Sequence, residues 1–401
     1  MTPDGNTSLT GSENWKIATY RKASPKPKTW STKYQQTIYY HTNSVVSLAI
    51  SKNGRIFVSG STDKRVRIFV AKEESFPFTY NLNQSFEGHS GIVKSVCITQ
   101  DGRSIISCSD DKTVRVLERE DPGEFIYPKV NRILKAHSKF VYSVAVSEDL
   151  STIVSSSEDK TILVWKKNLK LGRYALDQTI EEHTGPVKSV SMAYDGSTFF
   201  SGSIDKKVKV WVRKSNKDKF ECIQTLENHD KKVYKVLMIP DGSLAFSGLE
   251  DSTIIVWVRK EEGELKKYHC QKVLEGHSFW IWGLAATPDA KFFVSGSGDL
   301  TAKVWRKVGE GDSLSYEEIQ TLERHNESVV SVAISRDSKI IVSGCRDHDL
   351  IIWLKEVGKK NQKVTYTHHQ TLKDHTTSIL NISFTQDDKY ILSSSNKGTK
   401  V

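Results

Sequence analysis

Eight histidines recur along this chain at intervals of 46 to 50 residues, from His41 to His375. Each is followed eighteen residues later by a serine, seven are followed after twenty-two residues by an aspartate, and five after twenty-eight residues by a tryptophan. A unit that recurs at a fixed period indicates a repeat architecture, so the eight copies replace the several domains that 401 residues would otherwise suggest. The five copies that hold all four residue types are His137, Ser155, Asp159 and Trp165, then His183, Ser201, Asp205 and Trp211, then His229, Ser247, Asp251 and Trp257, then His277, Ser295, Asp299 and Trp305, and finally His325, Ser343, Asp347 and Trp353.

Short runs of β-branched and aromatic residues alternate with turn residues inside the copies. In the fourth copy such runs begin at Val187, Thr198, Val208 and Ile223, and a Tyr-Asp-Gly-Ser turn separates the first two. Short runs of this composition with tight connections predict antiparallel strands joined as hairpins. We therefore expect one four-stranded antiparallel sheet for each copy.

Two stretches of the fourth copy, Ser-Gly-Ser-x-Asp from Ser201 and Val-x-Val-Trp up to Trp211, resemble the repeat of the WD-repeat family. The resemblance extends from about Lys33 to Val401. It implies an all-β fold, a closed eight-bladed β-propeller made of four-stranded antiparallel blades. One departure is consistent, because no landmark tryptophan is followed by aspartate. The WDxR motif with which some family members dock on cullin ubiquitin ligases is therefore absent, and that role loses support.

The ring of such a propeller closes through its termini. Each outer strand precedes the histidine of the next copy, so the strand before His41 has to belong to the last blade. Residues 33–40 match the strand that precedes His229, and we expect them to complete the eighth blade. The predicted organisation is a flexible N-terminal arm over residues 1–30 and a single propeller over residues 31–401. Two alternatives stay open: residues 15–20 supply the third strand of that blade, or seven blades close the ring beside a loose eighth copy.

Histidine, serine and aspartate at fixed spacing also suggest a catalytic triad. An enzyme uses one such constellation beside a pocket, whereas this set recurs and includes tryptophan. The family resemblance implies instead a buried hydrogen-bond chain that holds each blade together. One histidine per blade cannot converge on a metal ion, and no phosphate-binding glycine loop or His-Glu-x-x-His helix is present. We therefore expect no enzymatic activity, no catalytic residue, no metal site and no cofactor.

Charge and cysteine usage bear on the cellular setting. The chain has a formal net charge of +10, which favours acidic partners, and five cysteines without CxxC spacing, which indicate reduced thiols. The N-terminal residues lack the apolar core of a secretory signal, and no apolar run reaches membrane-spanning length. We expect a cytoplasmic protein that does not engage a membrane, with a nuclear location as the alternative.

Residues that differ between copies are the candidates for partner binding, because the recurring ones are used by the fold. Aliphatic residues stand four and seven positions after each histidine, a spacing that predicts a bulge in the first strand. The side chains three and five positions after the histidine then lie on the face that carries the His and Asp turns. Together with the residue before each landmark aspartate, these positions supply the predicted partner-binding residues Trp280, Trp282, Tyr234, Phe140, Tyr142, Lys94, Lys188, Lys232 and Arg346.

Aromatic and basic residues of this kind are typical of binding hot spots. They predict a non-enzymatic scaffold or adaptor that binds a peptide segment of a partner protein on this face. Two other interpretations remain. In the first, Trp280 and Trp282 fill the wide centre of an eight-bladed ring. In the second, basic pairs that follow the third strands, such as Lys166-Lys167, bind nucleic acid or acidic protein tails. The sequence makes no prediction of the oligomeric state.

Overall fold

The structure is a computed structural model that describes residues 15–21, 36–51, 53–71, 80–99, 101–119, 126–127, 132–168, 173–227, 229–262, 265–357, 364–373, 375–384, 388 and 390–395. Its regular elements are β-strands, apart from one 3₁₀ helix, η1 (Gly311–Ser313). The described residues contain no helix with the length and apolar character that a membrane span requires. The strands form eight four-stranded antiparallel sheets. The predicted fold class, an eight-bladed propeller, is therefore confirmed.

The strands are numbered along the chain, and the blades follow the histidine copies. The first two strands, β1 (Trp15–Arg21) and β2 (Gln36–His41), belong to blade 8. The strands of each blade are given from the first strand outwards. Blade 1 consists of β3 (Val45–Ile50), β4 (Ile56–Ser61), β5 (Val66–Ala71) and β6 (Tyr80–Phe86), and blade 2 consists of β7 (Val93–Ile98), β8 (Ser104–Ser109), β9 (Thr113–Glu118) and β10 (Arg132–Lys135). Blade 3 consists of β11 (Val141–Val146), β12 (Thr152–Ser157), β13 (Ile162–Asn168) and β14 (Arg173–Ile180), and blade 4 consists of β15 (Val187–Met192), β16 (Thr198–Ser203), β17 (Val208–Val212) and β18 (Glu221–Leu226).

The remaining strands continue the same order. Blade 5 consists of β19 (Val233–Met238), β20 (Leu244–Leu249), β21 (Ile254–Glu262) and β22 (Leu265–Leu274). Blade 6 consists of β23 (Ile281–Ala286), β24 (Phe292–Ser297), β25 (Thr301–Val308) and β26 (Ser315–Glu323). Blade 7 consists of β27 (Val329–Ile334), β28 (Ile340–Cys345), β29 (Leu350–Val357) and β30 (Val364–Leu372). The last two strands, β31 (Ile379–Phe384) and β32 (Tyr390–Ser395), begin blade 8.

Blade 8 combines strands from the two ends of the described chain. Its order is β31, β32, β1 and β2, and β1 pairs antiparallel with both neighbours. The outer strand β2 occupies the place predicted for residues 33–40, of which 33–35 lie outside the described residues. The prediction of a flexible arm over residues 1–30 is wrong for residues 15–21, because these residues form the third strand of this blade. Residues 1–14 and 22–30 lie outside the described part of the chain. In this place β1 pairs two strand edges that would otherwise be exposed.

The blades follow one another around a complete circle. Each first strand contacts the first strand of the next blade, and β31 of blade 8 contacts β3 of blade 1. One core cluster spans this junction, with Ile38 and Leu392 from blade 8 and Val45 and Leu48 from blade 1. Eight blades therefore share the ring, and the alternative of seven blades with a loose eighth copy does not apply.

The apolar core lies between the blades. The second strands of blades 1 to 7 are buried along their whole length. Cluster formation across a blade boundary is illustrated by Phe200 and Val210 of blade 4, which pack with Val236 and Trp257 of blade 5. Because neighbours cover both faces of a sheet, these strands need not alternate between apolar and polar residues. The hydrophobic effect consequently stabilises the ring as a unit.

Glutamine side chains of several outer strands form hydrogen bonds to the backbone of the next blade. The side-chain amide of Gln224 in β18 donates to the carbonyl oxygen of Tyr268 at 2.7 Å, and its oxygen accepts from the backbone N–H of Tyr268 at 2.9 Å. The same pair of bonds joins Gln84 to Tyr127, Gln178 to Phe220 and Gln320 to Tyr366. Each glutamine satisfies two backbone groups of the following blade, which fixes the distance between neighbours.

The ring has two faces, named here by their turns. The His/Asp face carries the beginnings of the first strands and the turns between second and third strands. These turns place a residue directly after the landmark aspartate at positive φ, as at Lys64 (70°) and Lys160 (73°). The opposite face carries the turns between first and second strands. Side chains near the start of a first strand therefore lie towards the His/Asp face.

Candidate functional site on the His/Asp face

A chain of hydrogen bonds holds each histidine inside its blade. Histidine Nε2 lies 2.6–2.9 Å from the serine Oγ in all eight blades. In blades 1 to 4, 6 and 7, Nδ1 lies 2.7–3.4 Å from the aspartate carboxylate. Nδ1 therefore carries the proton, and the serine hydroxyl donates to Nε2. In blades 3 to 7 the landmark tryptophan donates from Nε1 to the same serine at 2.8–3.0 Å.

These side chains are engaged in structure. Ser155 and Ser201 are fully buried, and each hydroxyl both donates to a histidine and accepts from a tryptophan. Burial raises the pKa of Asp299, but the hydrogen bonds that its carboxylate accepts from His277, from the Thr301 hydroxyl and from the backbone N–H of Ser278 outweigh burial and hold that pKa well below the usual range. A nucleophile needs access to its substrate. The geometry therefore supports a structural network and gives no support to a catalytic triad.

Blade 5 departs from this pattern. Its His229 keeps the contact with Ser247, but Nδ1 lies 3.4 Å from the carbonyl oxygen of Leu226. Asp251 accepts from the backbone N–H and hydroxyl of Thr253 at 3.1 and 2.7 Å, and no hydrogen bond joins it to His229 within the described residues. Burial then dominates and lowers the pKa of His229 to about 4. Of the four residues predicted to form the network of blade 5, hydrogen bonds therefore join His229, Ser247 and Trp257, while Asp251 bonds to Thr253 instead.

Two residues of blade 5 differ from their counterparts around the aspartate. In blades 1 to 4, 6 and 7, a hydroxyl or thiol two residues before the aspartate accepts its backbone N–H, as Ser203 does at 3.1 Å. Blade 5 has Leu249 there, which has no acceptor. In those blades the residue after the histidine also donates its N–H to the carboxylate, as Thr184 does at 3.0 Å. Blade 5 has Asp230 at that place, and within the described residues no hydrogen bond joins its N–H to Asp251.

Blade 7 places a thiol in the same network. The potential ligand atoms of His325, Cys345 and Asp347 lie within 4.8 Å of one another, a grouping that could hold a metal ion. However, Cys345 Sγ makes the two contacts that serines make elsewhere, to the carbonyl oxygen of Glu327 at 2.7 Å and to the backbone N–H of Asp347 at 3.3 Å. Burial raises the pKa of the thiol to about 12, so the sulfur stays protonated and donates to the carbonyl oxygen of Glu327. We interpret the grouping as a blade network with sulfur in place of oxygen.

The backbone joins the predicted partner-binding positions. In blades 1 to 7, the N–H before the landmark aspartate donates to the carbonyl oxygen three residues after the histidine at 2.8–3.1 Å, for example from Gly298 to Trp280 at 2.9 Å. The first strand of every blade shifts register at the residue five positions after the histidine, as between Ile281 and Gly283. The predicted bulge is therefore confirmed, and it lets Trp280 and Trp282 meet.

Four aromatic rings and one guanidinium meet on the His/Asp face of blades 5 to 7. We call Tyr234, Phe279, Trp280, Trp282 and Arg346 the Trp280 cluster. The ring centroid of Trp280 lies 5.9 Å from that of Tyr234, 5.5 Å from that of Phe279 and 5.6 Å from that of Trp282. The Arg346 guanidinium lies 5.5 Å from the centroid of Trp282, within range of a cation–π interaction. Three adjacent blades thus contribute to one aromatic surface with a cation at its edge.

Two features of this cluster go beyond the sequence prediction. Phe279 was not among the predicted residues, yet it is 48% exposed, and its ring lies where a side chain on Gly298 would collide with it. A glycine beside the landmark Asp299, opposite a Phe-Trp-Ile-Trp run, was the signal available in the sequence. The Nε1 atom of Trp282 is buried and has no hydrogen-bond partner within the described residues. A buried donor left in this state costs about 1–3 kcal/mol, so an added acceptor would be stabilising.

A second, charged group lies on blades 2 to 4. We call Tyr142, Lys188, Lys94, Asp110 and Glu158 the Tyr142 cluster. The Lys188 ammonium lies 3.6 Å from the Tyr142 ring centroid, and Lys94 Nζ lies 3.3 Å from a carboxylate oxygen of Asp110. Burial, opposed by Glu158, lowers the pKa of Lys188. The predicted residues therefore divide into an aromatic cluster and a charged one.

The last two predicted residues border these clusters. Phe140 is 42% exposed, and its carbonyl oxygen accepts from the backbone N–H of Glu158 at 2.9 Å, which places it beside the Tyr142 cluster. Lys232 forms an ion pair with Glu250 at 3.2 Å. That pair neutralises one of the cations expected next to the aromatic rings.

The basic pairs after the third strands are partly neutralised. Lys166 pairs with Asp177 at 3.0 Å, and Lys167 pairs with Glu118 at 2.7 Å. Arg213 is only 3% exposed, and its guanidinium lies 4.9 Å from the ring centroid of Phe220. A nucleic-acid phosphate would have to displace these carboxylates or reach a buried cation. The geometry thus lends no specific support to a polyanion site on this rim.

Comparisons with known proteins agree with this architecture. A family model described as WD domain, G-beta repeat matches eight segments of the chain, at residues 32–69, 80–117, 128–166, 175–212, 220–258, 268–306, 316–353 and 366–401. A comparison with curated proteins gives no match. The described parts of the first seven segments run from an outer strand into the third strand of the next blade, which is the offset that links neighbouring blades, and the described part of the eighth ends in the second strand β32.

Proposed function

Since the chain belongs to the WD-repeat family, we propose that it is a scaffold that binds an extended peptide segment of a partner protein across the Trp280 cluster. Propellers of this family typically mediate protein–protein interactions and are generally not enzymes. The recurring side chains are used inside the blades, so recognition falls to residues that differ between blades. The Trp280 cluster is the most distinctive group of this kind.

The meeting of the exposed Phe279 ring with the half-buried rings of Trp280 and Trp282, and with Arg346 at their edge, carries the proposal. The rings of Phe279 and Trp280 offer apolar area for an anchoring side chain. Tryptophan, tyrosine and arginine are the residue types most enriched at interface hot spots, and the cluster contains all three.

The Tyr142 cluster supports an extended rather than a point-like contact. It lies on the same face, three blades away from Trp280, and combines two lysines with two acidic side chains. Charged groups at the edge of an interface contribute to orientation and specificity more than to affinity. A peptide anchored at the Trp280 cluster would be oriented by charges of this second cluster.

The test is a comparison of partner recovery by affinity purification and mass spectrometry. Trp280→Ala combined with Trp282→Ala should remove at least nine-tenths of the specifically recovered partner, since hot-spot truncation costs about 2 kcal/mol or more. The melting temperature should stay nearly unchanged. Leu176→Ala is the matched control, because it removes an exposed apolar side chain (45%) from the outer strand β14.

A different outcome would support filling of the ring centre. In that case the double variant would melt at a clearly lower temperature while recovering the same partners as the wild type. Recovery that depends on neither tryptophan, at unchanged stability, would also exclude the Trp280 cluster as the binding site.

A further inference from the structure

Arg346 reverses the charge that other blades place at its position. On the His/Asp face, Lys94 pairs with Asp110 at 3.3 Å, and Lys232 pairs with Glu250 at 3.2 Å. In both pairs the acid is the residue directly before the landmark aspartate. Blade 7 has Arg346 at that place, so it presents a cation where blades 2, 3 and 5 present an acid.

The surroundings of Arg346 do not neutralise this cation. Its side chain is exposed, and among the described residues its guanidinium forms no ion pair and no hydrogen bond. On one side lies the ring of Trp282, and on the other lies Ser378 of blade 8, whose hydroxyl donates to the carbonyl oxygen of Arg346 at 3.4 Å. The adjacent Asp347 is used inside the blade, where its carboxylate lies 3.4 Å from His325 Nδ1. A carboxylate for Arg346 therefore has to come from a bound partner.

The guanidinium and the rings lie close enough together to contact one short stretch of peptide. The ring centroid of Trp282 lies 5.5 Å from the Arg346 guanidinium and 5.6 Å from the ring centroid of Trp280. An extended chain advances about 3.3 Å per residue, so about three residues cover the path of roughly 11 Å from the guanidinium over Trp282 to Trp280. A guanidinium that lies against a ring still presents its N–H edge, which binds a carboxylate through two parallel hydrogen bonds.

We infer that the partner segment is acidic: an aspartate or glutamate side chain pairs with Arg346, within three residues of an apolar or aromatic side chain that lies on Phe279 and Trp280. This inference rests on the proposed function and specifies the class of peptide. A lysine or arginine at the same place would be repelled, because like charges across an interface are unfavourable. The net charge of +10 favours acidic partners in the same direction.

A phage library of random heptapeptides, selected on the immobilised full-length chain, supplies the probes. Peptides selected by the wild type should carry aspartate or glutamate within three residues of an apolar or aromatic residue more often than the unselected library does. The Arg346→Glu variant should select lysine or arginine there instead. This change suits the fold, because blades 3 and 5 have Glu158 and Glu250 at the equivalent position. Lys64→Glu is the matched control, since it reverses an exposed cation on the same face in blade 1.

One selected peptide, synthesised with an amidated C-terminus and a fluorescein label, tests the pairing by fluorescence polarisation. Arg346→Glu should weaken its binding at least tenfold, and Lys64→Glu should leave it unchanged. A peptide in which lysine replaces the acidic residue should bind the wild type at least tenfold more weakly. The same lysine peptide should bind Arg346→Glu more tightly than it binds the wild type, which is the sign of a direct charge pair.

The possible failures are distinguishable. Selected peptides that need Trp280 and Trp282 but show no acidic preference, or that bind Arg346→Glu as tightly as the wild type, would overturn this inference and leave the proposed function standing. Selected peptides that bind the Trp280→Ala, Trp282→Ala variant as tightly as the wild type would overturn the proposed function itself. A library from which the wild type selects no peptide would count against both.

Discussion

Two adjacent serines in β12 offer a direct test of the blade network. Ser155 and Ser156 are both fully buried in blade 3. Ser155 Oγ lies 2.8 Å from His137 Nε2 and 3.0 Å from Trp165 Nε1, whereas Ser156 Oγ has no hydrogen-bond partner within the described residues. The same substitution, serine to alanine, therefore removes two buried hydrogen bonds at one position and none at the next.

The magnitude follows from the groups left behind. Ser155→Ala strands a histidine acceptor and a tryptophan donor in a dry interior, and each unsatisfied group costs about 1–3 kcal/mol, so the free energy of unfolding should fall by about 2–6 kcal/mol. Ser156→Ala removes a buried hydroxyl that gains nothing from burial. Its free energy of unfolding should stay the same or rise by about 1 kcal/mol.

Urea unfolding at pH 7, followed by tryptophan fluorescence and far-ultraviolet circular dichroism, measures the difference. We expect a clearly lower midpoint for Ser155→Ala and an unchanged or higher midpoint for Ser156→Ala. Equal midpoints for the two variants would refute the reasoning, because they would show that the hydrogen-bonded hydroxyl of Ser155 contributes no more to stability than the unpartnered hydroxyl of Ser156.

Two further predictions concern blades 5 and 7. His229 should titrate near pH 4 in imidazole NMR spectra, with the signal assigned through His229→Gln. Because its folded pKa lies below the unfolded value of about 6.5, it contributes about 3 kcal/mol above pH 6.5 that is lost as the pH falls towards 4, and titration near 6.5 would contradict this. Cys345→Ser should change the free energy of unfolding by less than about 1 kcal/mol, since a hydroxyl can make both contacts of the thiol. Added zinc should leave the wild-type melting temperature unchanged, and a zinc-dependent rise lost in Cys345→Ser would favour a metal site.

The repeat period in the sequence was sufficient to predict the architecture and part of the candidate site. Fixed offsets located four-stranded blades, the bulge in each first strand and the face on which Trp280 and Trp282 lie. They did so because a repeat places the same offset at the same point of every blade. Offsets describe a common blade and carry no information on contacts between residues of different blades. The meeting of Arg346 with Trp282, and the contact of Lys188 with Tyr142, could not be derived from them.

Blades that depart from the common pattern are a second feature that the sequence alone could not explain. Leu249 and Asp230 are visible in the sequence, but only the three-dimensional network shows that Asp251 makes its hydrogen bonds to Thr253 and not to His229 in this blade. The same holds for Arg346. Its charge becomes significant once the ion pairs of Lys94 and Lys232 on the same face are known.

The sequence by itself determined the repeating unit, the number of blades and the residues that each blade spends on its own stability, because these depend on local hydrogen bonding and strand periodicity. The tertiary structure decided between the alternatives for closure that the sequence left open, since β1 pairs with both β32 and β2 and so supplies the third strand of blade 8. It also decided which variable side chains meet across blade boundaries. Those outcomes depend on the distances between sheets, which are set by packing around the whole ring.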